Sequence, residues 1–228
     1  MPPFISTIKL PPAHVPQARN GFIGAHAAQD LQVHIEPWPQ RHEHDQIAVF
    51  WNGTFVDVRP AALACYEAFS VPPWLIGNGV AHVRYQVLKV GHRPRWSPSL
   101  RLWVKLKCPG GGQLGEDINP ALAPLGLAAR LMTQPVYLHA LDAGLAFCLA
   151  PWRHMATDDT PTLRWGDRRL DLPAVTAQQV GHALRGVIPA SLIHEAGPHA
   201  YTEVSYCIID RAGNHSGWAH GRCIDVRA

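Results

Sequence analysis

The densest run of chemistry-capable side chains is His42-Glu43-His44-Asp45, four metal-ligating residues in succession, with His26 and His34 upstream. Such a set could hold a divalent cation. It lies in a loop before a strand, however, where neighbouring side chains of an extended chain point apart, and fourteen histidines make chance clusters common. A solvated loop is the expected reading, with no metal. Gly110-Gly111-Gly112 is not followed by Lys and Ser/Thr opening a helix, so it does not read as a phosphate cradle, and neither G-x-S-x-G nor H-E-x-x-H occurs. The expectation is a chain that is not an enzyme, with no catalytic residue and no cofactor. The five cysteines, Cys65, Cys108, Cys148, Cys207 and Cys223, lack C-x-x-C spacing, so reduced thiols are the default. A Cys148–Cys223 disulfide would need those two to face each other on neighbouring terminal strands of the second half.

Recognition is the better prospect. In Leu100-Arg-Leu-Trp-Val-Lys-Leu-Lys107, period two puts Leu100, Leu102, Val104 and Leu106 inward and leaves Arg101, Trp103, Lys105 and Lys107 outward. A Trp among cations on a solvent face is either an interface anchor or is covered by another part of the chain. Trp74 and Trp96 near turns, with Trp218, could form an aromatic platform for sugar; ordinary burial is the competing reading. The net charge of +3 is too small and scattered for nucleic acid.

The elements that must position these residues come in duplicate. Pro37-Trp38 matches Pro151-Trp152 and Trp51 matches Trp165, since 152 − 38 and 165 − 51 both give 114. The same offset lays Leu31, Val33 and Ile35 on Leu145, Phe147 and Leu149. Later the register drifts, with Pro72 and Ile76 answering Pro189 and Ile193 at 117, and Tyr85 answering Tyr206 at 121. Growing offsets are what loop insertions between matching strands produce. A period near 114 is the size of a whole small domain.

With 21 Pro, 19 Gly and 16% charged residues, the composition favours β modules joined by turns. Residues 1–20 read as a proline-rich arm with a short strand at 5–10, 21–107 as the first module, 108–126 as a Gly/Pro-rich linker and 127–228 as the second. Strands are expected in the first near 31–35, 46–51, 54–58, 65–71, 83–90 and 100–107. In the second they are expected near 136–139, 145–149, 162–165, 168–172, 181–187, 204–210 and 222–226, with a short helix at 178–184 as the alternative. Alternation over short strands suits a two-sheet sandwich with Trp51, Tyr85, Trp165 and Tyr206 in the cores. Tyr85 and Tyr206 are each either a tyrosine corner, hydroxyl turned to a nearby backbone group, or an ordinary core tyrosine.

Pro-Trp, then Trp-x-Gly or Trp-Gly, Ile/Val-Pro with Ile four later, Val-x-Tyr-x-Ile/Val and Asp210-x-x-Gly213-Asn214-x-Ser216 together resemble the bacterial Ig-like (fibronectin-type) tandem repeats of large surface and adhesin-like proteins. The first half departs in replacing the Asp210-type hairpin by Leu88-Lys-Val-Gly-His-Arg-Pro-Arg-Trp-Ser97. The resemblance implies an all-β chain of two tandem Ig-like/fibronectin-III-like sandwich domains serving in spacing, display or binding. A protein partner is expected through sheet edges or exposed aromatics, with a glycan as the alternative. Met1 to Pro12 lacks the basic and apolar regions of a Sec signal and no stretch is suited to a bilayer, which leaves the compartment open.

Overall fold

A computed structural model describes residues 9–62 and 65–228. The chain divides into two compact units, Met1–Leu106 and Lys107–Ala228, and each is an all-β sandwich of the Ig/fibronectin-III type.

In the first unit the strands are β1 (Phe22–Gly24), β2 (Leu31–Ile35), β3 (Gln46–Trp51), β4 (Thr54–Pro60), β5 (Glu67–Val71), β6 (Gly79–Leu88), β7 (Arg95–Trp96) and β8 (Leu100–Lys105). One sheet runs β1-β8-β6-β3-β4 with β7 on β6, and the facing sheet is β2-β5. The second unit holds β9 (Val136–Tyr137), β10 (Leu145–Leu149), β11 (Thr160–Trp165), β12 (Arg168–Asp171), β13 (Leu184–Ile188), β14 (His199–Ile209) and β15 (Arg222–Arg227). Its sheets are β12-β11-β14-β15-β9 and β10-β13. The orders superpose strand for strand, down to the short parallel strand on one edge, β1 beside β8 and β9 beside β15. The duplication read from the sequence is thus a duplication of topology.

Alternation drives this arrangement. Leu31, Val33 and Ile35 are buried while Gln32 and His34 are half-buried, and β10 repeats the pattern with Leu145, Phe147 and Leu149 inward. Burial of each such side chain contributes about 1.5–3 kcal/mol, which fixes which face of the strand turns inward. Trp51 and Tyr85 close the first core, Trp165 and Tyr206 the second. Val71-Pro72 and Ile188-Pro189 end their strands alike and send Ile76 and Ile193 into the cores. After the Pro the first unit makes a 3-10 turn, Pro73–Leu75, just before Ile76, and the second a short helix, Ala190–Ala196, which carries Ile193 and which strand-period reading did not find.

Several boundaries differ from expectation. The strand expected at 5–10 lies largely outside the described residues, but Leu10, Ala13 and Val15 are buried in the first core and His14 bridges to His34, so 9–20 belongs to that sandwich. Residues 108–126, expected as a linker, likewise pack into the second unit. Leu122 and Leu125 are core residues and Asn119 is buried, its Nδ2 donating 2.9 Å to the Ser216 carbonyl. The physical reason is that an irregular Gly/Pro-rich segment can fill a sandwich edge through a few anchors without a period. Gln178 to Gly181 form turns, and β13 begins only at Leu184. The five cysteines are thiols; Cys148 on β10 and Cys223 on β15 stand in different sheets, so the adjacency a disulfide would need is not there.

Candidate functional site

The tyrosine hydroxyls do find backbone partners, though not nearby ones. Tyr85 donates to the Pro11 carbonyl at 2.8 Å and Tyr206 to the Ala123 carbonyl at 2.9 Å, each tying the penultimate strand to the first segment of its own unit. Asp45 and Asp159, again 114 apart, are both buried and do similar work: the first accepts from His42 N at 3.1 Å, the second from Ala156 N at 2.9 Å. Asp159 also accepts the Trp152 indole N–H at 3.0 Å. The His42–Asp45 run is therefore part turn-forming: Asp45 points in, while Glu43 and His44 are exposed. His34 stacks on Tyr66 with centroids 4.4 Å apart, and its basicity is lowered first by burial and then by His14. Among the described residues no group of three or more His, Cys, Asp or Glu converges.

What the first unit offers is a surface. The outward residues of its larger sheet follow from pairing: Phe50 opposes Arg84 and Phe55, Trp96 opposes Gln86, Trp103 opposes Val80, and Arg101 opposes His82. Trp96, Trp103 and Phe55 remain 43%, 44% and 52% exposed. Their rings are not isolated. Phe50 lies 4.9 Å from Trp96 and 5.9 Å from Phe55, the Arg84 guanidinium stands 4.1 Å over Trp96, and Arg101 stands 4.9 Å over Trp103. Stacked arginines stabilise such exposed rings by about 0.5–1 kcal/mol each and hold them in place.

The charge on this sheet has one sign. Its six strands contain a single carboxylate, Asp57, which is bound 2.8 Å from Arg59. Arg84 and Arg101 therefore face solvent with no acid on their own sheet to answer them. Trp103 and Arg101 are thus where the sequence reading expected them, outward on β8, with Lys105 half-buried beside them. Trp96 joins the sheet through β7. Trp74 does not: it is 83% exposed on the 3-10 turn after β5. Phe50, Phe55 and Arg84 were missed; strict alternation in 46–51 puts Phe50 outward and could have found it.

The second unit shows what the same positions look like when closed. Ser97 N and Ala219 N donate to the Tyr85 and Tyr206 carbonyls at 2.9 and 2.8 Å, which makes Trp96 and Trp218 equivalent. Arg164 and Arg169, each 114 after Phe50 and Phe55, stand 4.8 and 5.5 Å over Trp218. Arg164 is paired with Glu203 at 2.6 Å, and the Thr162 hydroxyl donates to Asp171 at 2.6 Å. There the positions of the two open rings are held by cations, one of them paired with an acid. Trp218 itself lies in the second unit, under Arg164 and Arg169.

No family model matches the chain, and no curated protein matches it. Among solved structures it is similar to fibronectin(III)-like modules of Clostridium thermocellum CbhA, at 11% identity and TM-score 0.52, covering 94% of each chain. It also aligns with a Ca2+-stabilised adhesin with which an Antarctic bacterium binds ice, at 11% identity and TM-score 0.43, spanning 96% of this chain and half of that one. The FN1–FN3 domains of chicken CNTN1 align at 10% identity and TM-score 0.38, over 97% of this chain and 68% of theirs. The first likeness establishes the sandwich fold.

Proposed function

We propose that the chain is a non-enzymatic binding module that engages a protein partner through the outer face of the larger sheet of its first unit. The observation that carries this reading is the difference between equivalent faces: aromatic Phe50 and Phe55 beside Trp96 in one, Arg164 and Arg169 stacked over Trp218 in the other. Tryptophan and arginine are the side chains that concentrate binding energy at interfaces, and half-exposed rings held by guanidinium groups lose little freedom when covered. Arg84 and Arg101, on a sheet whose lone carboxylate is already paired, select a partner strip that alternates apolar and acidic residues. The two units, Met1–Leu106 and Lys107–Ala228, enter this reading only as the bodies that carry the two faces. Among the described residues no helix is long and apolar enough to cross a membrane.

A displayed random-peptide library selected on the immobilised chain tests the proposal. Enriched peptides should carry Asp or Glu beside apolar residues and lose binding to the Trp96→Ala and Arg84→Ala variants. No enrichment, or equal binding to the variants, would overturn it. Exposed Trp96 and Trp103 give a second reading, a glycan platform, and a glycan array giving signal that Trp96→Ala removes would favour it instead.

A further inference from the structure

The turn where the two halves differ in sequence also differs in what it leaves open. In the second unit Asp210, four residues after Tyr206, is buried, and its carboxylate accepts Ala212 N, Asn214 N and Asn214 Nδ2, each at 2.9 Å, closing the hairpin on itself. In the first unit the residue four after Tyr85 is Lys89, and the turn reads Lys89-Val-Gly-His-Arg-Pro-Arg95. The buried acid has become a base, and three more basic side chains follow within six residues. Beneath this turn lies a pocket of about 110 Å³ lined by Trp38, Asp45, Lys89, His92, Arg93 and Arg95.

The charges in this pocket do not cancel. Lys89 Nζ donates 3.1 Å to the Gln40 carbonyl and lies 3.7 Å from Asp45, so it answers the pocket's one acid. Arg41, which stands over Trp38, is bound to Glu67 at 2.7 Å and is spoken for. Arg95 opposes Val87 on β6, which turns it to the side of the sheet away from Trp96 and toward the pocket. Among the described residues no carboxylate comes within ion-pair distance of Arg93 or Arg95. Two guanidinium groups, each able to present a fork of N–H donors, thus border a small cavity beside a histidine, with the only acid there neutralised by Lys89.

We infer that this pocket binds a small tetrahedral oxyanion, phosphate or sulfate, held by Arg93 and Arg95 with His92 at the rim. Several converging charge-assisted donors match an anion with oxygens on every side better than they match a halide or a single carboxylate. At the equivalent place in the second unit Asp159 is filled by Trp152 and Ala156, and the turn is closed by Asp210, which reserves the site to the first unit.

The test is a titration of the full chain, isotopically labelled, with potassium phosphate and separately with potassium sulfate, at ionic strength held constant with chloride. Amide resonances of residues 89–95 should shift and saturate at millimolar anion, and Arg93→Ala/Arg95→Ala should weaken binding by roughly tenfold or more while the remaining spectrum is kept. Saturation by phosphate only or by sulfate only assigns the group to that anion; saturation by both assigns it to tetrahedral oxyanions generally. Shifts that fail to saturate, that chloride reproduces, or that persist unchanged in the double variant overturn the proposal.

Discussion

Arg164 stands where Phe50 stands. The two residues, 114 apart, occupy the same outward position on the third strand of their units, and each lies against a tryptophan that follows the long strand β6 or β14: Phe50 at 4.9 Å from Trp96, Arg164 at 4.8 Å from Trp218. A ring in one and a cation in the other turn one scaffold into an open face and a closed one. Replacing Phe50 and Phe55 by Arg together should therefore rebuild the closed face on the first unit. Both sites are at the surface, so stability should change by no more than about 1 kcal/mol. Affinity for peptides selected on the wild-type chain should fall at least roughly tenfold, read by fluorescence anisotropy, and unchanged affinity would remove Phe50 from the site.

The paired aspartates make an unequal prediction. Asp159 accepts a backbone and an indole N–H in a fully buried setting, whereas Asp45 has one backbone donor and a lysine 3.7 Å away. Removing an acceptor leaves its donors unsatisfied, so Asp159→Ala should cost about 3 kcal/mol and Asp45→Ala about 1 kcal/mol. Urea midpoints of the full chain compare them. Equal losses would mean that the Trp152 bond contributes nothing.

If residues 108–126 are part of the second sandwich, a buried anchor there should matter as much as one in a strand. Asn119 donates to the Ser216 carbonyl and accepts from Ala121 N at 2.9 Å. Asn119→Ala should destabilise by about 2 kcal/mol. Gly110 has φ +73°, and a Cβ there would fall 2.6 Å from Leu122 Cδ2, so Gly110→Ala should also destabilise. A true linker would tolerate both, and protease would cut it first.

Alkaline pH should loosen the second core. Burial pushes the Tyr206 hydroxyl up to about 12 and the Cys207 thiol up to about 11, from ordinary values of 10.0 and 9.0. Both groups stay neutral in the fold after they ionise in the unfolded chain. Their contribution is whole below pH 9, declines as the unfolded groups ionise from about pH 9–10, and is gone above the folded values. Tyr206→Phe removes one of the two titrations and the bond to Ala123, so it should lower stability near neutrality by about 1 kcal/mol and flatten the decline at high pH. An unflattened decline in urea titrations from pH 8 upward would refute this.

Much of the fold was legible because period two and a constant offset are both visible in a string of letters. Leu31, Val33 and Ile35 declare their face, and Trp51 and Trp165 declare the repeat. The aspartates 45 and 159 obey the same offset, but reading 42–45 as a solvated loop hid the role of the first as a turn-former. Trp96 and Trp218 could not be matched at any single offset, since they are equivalent only through the hydrogen bonds of Ser97 and Ala219 to the two tyrosines. The segment 108–126 was missed for a different reason: its hold on the core rests on Asn119, Leu122 and Leu125, which share no period. Trp103 was legible as outward, yet the Arg101 stacked on it is seen only in three dimensions.

The most direct measurement is a map of amide and tryptophan indole resonances on adding an acidic, apolar peptide selected on the chain. The account predicts that shifts concentrate at Phe50, Phe55, Arg84, Trp96 and Trp103, with Trp218 and the outer face of the second unit unmoved. Shifts centred on the second unit, or absent from the outward residues of β3, β6 and β8, would contradict it.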